Sequence, residues 1–455
     1  MRRTIGFGLV LGLVAMASTA MASDWTESYV GNMYFQEGLS IDGGGVPRVN
    51  AETAHHAQLV RVQDPVAGTW SSDEYLSQSS CRNATAGMMP GGNVYTVCDD
   101  VGKGDHAWAD TTVYLYDYVG GTGWEEGQPF NWLGFKMFEP ATVASGNGLG
   151  DILIFGNYTH SADSPNKQFS DDLKGSPALA WYDTEASAWT AEVVSGSTVD
   201  WTTTDWEHTG YGHRLQLDGS GNPTALLYNA TNQQLELHTR TAPGTWASES
   251  VTGSGGTGNE DRAAFGYYNG VPYVVFAKYD DVDPETDRAG RLYLTHKDGA
   301  SWSTPMLLDE DYLSPDAGNF NSTYGTFVDI DIVDDDESEF DGYMAINYSY
   351  NESIASTDGE ARMLILDSML QEVDRQSFFG DADGDGEPDS SVTPPRGDGF
   401  NQNLVEILPD GTVHGVFASF RDSGHRRDFY HVLGELDTPV LLGDFDGNGA
   451  VNGLD

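Results

Sequence analysis

His213-Arg-Leu-Gln-Leu-Asp-Gly-Ser-Gly-Asn-Pro-Thr-Ala-Leu-Leu-Tyr-Asn229 alternates apolar and polar residues, breaks at Asp218-Gly-Ser-Gly-Asn-Pro223, and then alternates again. Successive side chains of a strand point to opposite faces, so each half reads as a half-buried strand and the break as a tight turn. A third alternating run follows at Leu235–Arg240, a turn at Ala242-Pro-Gly244, and a fourth strand opens on Trp246. The unit is four short antiparallel strands in sequence order.

Working outward, the unit recurs. Gly38–Pro47, Leu59–Val62 and Gly68-Thr-Trp70 make one copy, and Gly270–Ala277, Arg291–Thr295 and Ala300-Ser-Trp302 another. The fourth-strand tryptophan falls at Trp70, Trp124, Trp189, Trp246 and Trp302, at spacings of about 54 to 65 residues. A sixth unit spans Thr326–Phe379 without the tryptophan, and a seventh starts near Gly399 with three strands through Leu433. The missing strand stands at the other end, where Asp24-Trp-Thr-Glu-Ser-Tyr-Val30 reads as a detached fourth strand. Pairing the two would leave no open edge. The expectation is an all-β, seven-bladed β-propeller of four-stranded blades over 23–437, closed by an N-terminal strand. Two packed β-sandwich domains are the alternative such strands could build; the tryptophan period favours the propeller.

The Asp-x-x-Gly-x-Pro turn, the alternating strand and the Gly-x-Trp step resemble the sialidase-like, BNR-type propeller repeats of secreted proteins. The full Asp-box is absent; Lys297-Asp-Gly-Ala-Ser-Trp302 is its nearest, shortened form.

The 455 residues carry 22 Lys+Arg against 70 Asp+Glu, a net charge of −48 that repels nucleic-acid phosphates and anionic membrane surfaces. With 39% hydrophobic and 11% aromatic residues a large core is available, and 55 glycines fit many tight turns. Residues 1–22 read as a secretory signal peptide: Arg2 and Arg3, an apolar stretch from Ile5 to Ala17, then Ala20-Met21-Ala22. No later segment has the length and apolarity to span a membrane. Localisation is therefore expected to be extracellular or at the cell surface, as a monomer. In that oxidising setting Cys81 and Cys98 are expected to pair, a closure worth about 3 kcal/mol.

Two acidic runs carry calcium-ligand spacing. In Asp444-Phe-Asp-Gly-Asn-Gly-Ala-Val-Asn-Gly-Leu-Asp455, oxygen-bearing side chains stand at loop positions 1, 3, 5, 9 and 12, namely Asp444, Asp446, Asn448, Asn452 and Asp455. Gly449 sits where such a loop turns sharply. Residues 438–455 thus resemble the first half of a type I dockerin with an EF-hand-like loop. That resemblance implies Ca²⁺ and a cohesin-like or cell-surface protein partner. The second run, 381–389, offers Asp381, Asp383, Asp385 and Asp389, and its spacing resembles the nine-residue calcium loops of integrin propellers and thrombospondin-type repeats. Asp334-Asp-Asp-Glu-Ser-Glu339 lacks that spacing and reads as a charged hairpin turn.

Connections between the second and third strands share an end with those between units. His55, His56, His106, His160, His208 and His425 map there, beside Asp105, Asp110, Asp163, Glu207, Arg421 and Arg426, with Trp108, Tyr158, Tyr211 and Tyr279. Long connections on a rigid scaffold are where binding sites sit. His56, His106, His160, His208, Tyr211 and Arg426 are the candidate catalytic set. Imidazoles and carboxylates there suit Mn²⁺ or Zn²⁺, and a His or Tyr could abstract a sugar C5 proton. No nucleophile elbow, Walker loop or dinucleotide fingerprint occurs. The reading is a calcium-binding module for an extracellular polysaccharide or a protein partner. The competing class is a carbohydrate-active enzyme, a polysaccharide lyase or glycoside hydrolase, carrying a dockerin-type tail.

Overall fold

The turn that opens the sequence argument has a physical reason. In the computed structural model, Asp218 Oδ1 accepts the backbone N–H groups of Ser220 (2.9 Å) and Asn222 (2.7 Å), while Gly221 takes a φ of 78°. Asp42 does the same for Gly44 and Val46, at 2.9 and 3.0 Å, with Gly45 at φ 76°. Asp367 repeats the acceptor pattern for Met369 and Gln371, with Leu370 at φ 60° where the other two turns have glycine. The Asp side chain satisfies donors that the tight turn leaves unpaired, and glycine accepts the left-handed step at no steric cost. Part of the acid excess is therefore turn chemistry. Burial would raise the Asp42 carboxyl, but the N–H groups of Val46 and Gly44 and the Arg48 guanidinium outweigh it and hold it below the usual range.

The structure describes residues 24–33, 35–52, 58–71, 74–75, 81–88, 94–100, 112–118, 124–126, 130–131, 141–144, 152–159, 174–183, 188–194, 199–200, 214–229, 234–255, 263–283, 287–313, 328–351, 359–378, 401–420 and 427–437. Among these there is no helix, and the strands form seven antiparallel sheets of four or five strands. The first sheet joins Phe35–Ile41, Pro47–Glu52, Gln58–Val62 and Glu74–Tyr75; the second begins at Cys81–Met88; the third at Ala141–Ala144. The fourth runs Arg214–Leu217, Pro223–Asn229, Gln234–Ala242, Thr245–Ser250. The fifth begins at Ala263–Tyr268, and the sixth joins Asp329–Ile332, Met344–Asn351, Gly359–Leu366 and Glu372–Phe378. The seventh joins Asn401–Ile407, Thr412–Phe420, Arg427–Glu435 and, as expected, the N-terminal strand, which extends over Asp24–Met33. Its register runs from Asp24 opposite Glu435 to Met33 opposite Arg427.

The first strands touch in cyclic order. Each contacts the first strand of the next sheet, and that of the seventh contacts that of the first. The core lies in the seams: Val275, Leu292 and Leu294 of the fifth sheet pack with Ile330, Ile346 and Leu364 of the sixth. Val30, Met33, Val416 and Phe429 of the seventh meet Val49, Ala51 and Leu59 of the first.

Two expectations are corrected. Trp70 is not in a fourth strand: it forms an isolated bridge with Gln63, and the fourth strand is Glu74–Tyr75. Asp64 holds a turn there through the Val66 and Ala67 N–H groups, which delays re-pairing by a few residues. Second, three sheets carry a split fourth position. Ser301–Trp302 and Met306–Leu313 both pair with Asp287–Asp298, with Pro305 between them; a proline has no N–H for the ladder. The second and third sheets are split likewise. Cys81 and Cys98 stand on neighbouring strands of the second sheet, with Cys81 opposite Asp100. The acidic run 334–339 is, as expected, a hairpin connection, in which Asp334 accepts from the Asn269 N–H of the fifth sheet.

Candidate functional site

Strand order sorts the connections by end. Links from first to second strand, such as 42–46 and 218–222, are tight and lie at one end. Links from second to third strand, and those between sheets, lie at the other. That end receives 101–111, 160–173, 201–213, 314–327 and 379–400. The sequence candidates His56, His106, His160, His208, Tyr211 and Arg426 all belong to these connections and lie outside the described residues, as do the carboxylates of 381–389. Asp444, Asp446, Asn448, Asn452 and Asp455 also lie outside them. Two sequence-singled aromatics are placed by backbone: Tyr158 stands opposite Ser176 and Tyr279 opposite Gly290, each near the long-connection end of its strand. No group of three or more His, Cys, Asp or Glu able to hold a metal occurs among the described residues.

The seams are tied by a recurring polar contact. An acid on the outer part of one sheet accepts from a donor on the next: Glu192 from Arg240 (2.6 Å), Glu249 from Lys297, Asp309 from Arg362 and Arg375 (both 2.9 Å), and Asp374 from the Trp25 indole N–H (2.7 Å). The tryptophans serve the same seams. Trp246 packs on the third sheet's core, Trp302 on the fourth's, and Trp70 donates to Ser28 of the seventh at 3.1 Å. Their period is a packing period.

A second group was missed by the sequence reading: Asp329 and Asp331 on the sixth sheet's first strand, and Glu406 on the seventh's. Ile330 and Ile332 are buried in the seam, so the alternating aspartates fall on the opposite face of the strand. Asp329 Oδ2 accepts the Val405 N–H at 3.1 Å and Asp331 Oδ2 the Ile407 N–H at 2.9 Å. Glu406 accepts the Ile41 N–H of the first sheet. Burial, then the neighbouring aspartates, pushes Glu406 up to about 8; burial, with Asp329 adding, pushes Asp331 to about 7 despite its backbone bonds. The signal was present in Asp329-Ile-Asp-Ile332, whose acids share one strand face.

In the seventh sheet, buried His414 and His431 meet at 3.0 Å between Nδ1 and Nε2. Burial lowers His414 to about 4 and, with His414 as neighbour, His431 to about 3, so one neutral imidazole donates to the other.

No family profile matches the chain, and no curated protein matches its sequence. Solved structures similar to it include a polysaccharide lyase, a PL25 ulvan lyase bound to -[GlcA(1-4)Rha3S]-, at 10% identity and TM-score 0.47, covering 90% of this chain and 95% of that one. An α-L-arabinanase of Penicillium chrysogenum complexed with arabinobiose is similar at 11% identity and TM-score 0.42, over 76% and 99% of the two chains. The Aleuria aurantia lectin, in complex with a fucosylated GlcNAc, is similar at 13% identity and TM-score 0.40, over 77% and 97%. At these identities and scores the likeness assigns no activity to this chain.

Proposed function

We propose that the chain is a secreted seven-bladed β-propeller, closed as a ring, that binds an extracellular polysaccharide on its long-connection end. The observation that carries this is the sorting of connections: the tight turns lie at one end, and the long ones, with their histidines and aromatics, gather at the other. Tyr158 and Tyr279 flank two of these connections, and flat aromatic rings at such positions suit stacking on sugar faces. A net charge of −48 favours neutral chains over sulfated or uronic ones, unless a bound cation bridges them. A panel of neutral and anionic polysaccharides tests this by affinity electrophoresis, with product size followed in parallel. Retardation by a neutral polysaccharide without shortening is the expected result. Depolymerisation would favour the enzyme reading instead, and no retardation by any member would overturn the proposal.

Calcium belongs to the same reading. Asp381, Asp383, Asp385 and Asp389 would converge only around a cation that offsets their mutual repulsion, so Ca²⁺ should favour the folded chain by mass action. Adding 1,000 times the Kd would contribute about 4 kcal/mol. Melting with Ca²⁺ and then with chelator is expected to differ by several degrees, and Asp383→Ala should shrink that difference. A melting temperature indifferent to chelator would make the run an acidic turn. The 438–455 loop should add little to the shift.

A further inference from the structure

The first strand of each sheet has one edge that its own sheet does not pair, and open edges must find acceptors elsewhere. In the seventh and first sheets those acceptors include carboxyl groups of the adjoining sheet. Val405 and Ile407 donate to Asp329 and Asp331, and Ile41 donates to Glu406. The two seams are consecutive, and the second is the one that joins the chain's last sheet to its first. The charges acting on Glu406 are those of Asp331 and Asp329, and the charge acting on Asp331 is that of Asp329.

Other titratable groups on the strands packed there are engaged elsewhere. Tyr267 donates to Thr224, Tyr268 to Asp341 and Tyr348 to Asp309, while His414 pairs with His431. Asp42, at the end of the first sheet's strand, pairs with Arg48. Glu406 therefore faces like charge across the seam to the sixth sheet, and Asp331 faces it from Asp329 of its own strand.

We propose that Asp331 and Glu406 act as a proton-held closure, bridging these seams as neutral acids and loosening them when both ionise. A neutral carboxyl keeps a carbonyl oxygen for the backbone N–H and adds no repulsion; ionisation releases the proton to solvent and sets two anions against each other.

The sign follows from linkage. Both groups are raised in the folded state, so their stabilisation is complete below the unfolded carboxyl range and is lost as pH climbs through about 7 for Asp331 and about 8 for Glu406. The double variant Asp331→Asn/Glu406→Gln keeps the accepting carbonyl and cannot ionise. Its melting temperature is expected to match wild type near pH 4, to pull ahead from there, and to exceed it by at least about 3–5 °C at pH 9. The histidine pair is common to wild type and variant, so its titration cancels between them. Glu337→Gln/Glu339→Gln removes the same charge from the exposed hairpin and should track wild type throughout. Parallel curves for wild type and the seam variant would overturn the proposal.

If the double variant fails to fold, the wild type answers alone. Its infrared spectrum should carry a protonated-carboxyl carbonyl band at pH 6.5 that fades by pH 9, while the Ile41 and Ile407 amides lose protection against hydrogen exchange beyond the intrinsic pH effect. Absence of that band, or unchanged protection, would equally sink it.

Discussion

Removing residues 24–33 is expected to lower the melting temperature by more than about 10 °C, the largest effect any short deletion in this chain should have. The strand pairs along its whole length with Arg427–Glu435, so its loss exposes a full ladder edge. It also removes buried Val30 and Met33 from the seam between the seventh and first sheets, each worth about 1.5–3 kcal/mol. Trp25 reaches the other way. Its indole N–H donates to Asp374 at 2.7 Å, and its ring lies 5.5 Å from that of Phe378, both on the sixth sheet. One strand thus touches three sheets.

Point variants separate these contributions. Trp25→Ala should cost about 2–4 kcal/mol, because it deletes a half-buried ring and the indole donor to Asp374 Oδ2, leaving only the Arg375 N–H and Gln376 on Oδ1. Gly434→Ala tests the same contact from below: a Cβ there would stand 2.6 Å from a ring carbon of Trp25, so ring or backbone must shift. Urea denaturation checks both. A deletion variant melting within about 3 °C of wild type would show that the seventh sheet closes without its N-terminal strand.

That strand was legible because a tryptophan on an alternating run is a local signal. The turns were legible for the same reason: Asp218 and Gly221 meet within a few residues, and their chemistry does not depend on the rest of the chain. The tryptophan spacing located sheets because Trp70, Trp246 and Trp302 sit in seams, and seams recur once per sheet. Trp70 was placed one element too early, since the Asp64 turn lengthens that connection. The split fourth strands depend on where Pro305 and its counterparts fall against a partner strand, which a single segment does not display. Asp331 and Glu406 looked like ordinary polar positions of alternating strands. Their burial exists only after sheets far apart in the chain have come together, as the Asp331 bond to Ile407 illustrates. The candidate site was legible only as a location, because long connections carry no period that fixes their shape.

Asp309→Ala is expected to be the most damaging single substitution outside the N-terminal strand, at about 2–4 kcal/mol. One oxygen, Asp309 Oδ2, accepts from the Tyr348 hydroxyl (2.8 Å), from Arg362 (2.9 Å) and from Arg375 (2.9 Å). The acid belongs to the fifth sheet and its three donors to the sixth, so the group is the polar counterpart of the apolar seam between them. Removing a buried partner of an ion pair costs about 3–5 kcal/mol, because the remaining charge has lost its compensation in a poorly solvated site. The arginines here keep 18% and 25% side-chain exposure, which screens part of that cost and sets the lower figure. Arg375 also retains Glu372 at 2.7 Å and the Leu308 carbonyl at 2.9 Å, so part of its compensation survives. Tyr348→Phe removes one hydroxyl and should cost only about 1 kcal/mol. The double variant Asp309→Ala/Arg362→Leu should recover part of what Asp309→Ala loses, since it withdraws the charge left behind. A cycle of the two substitutions, measured by urea denaturation, reads the coupling directly. A coupling indistinguishable from zero would mean that the apolar seam alone holds the fifth and sixth sheets together.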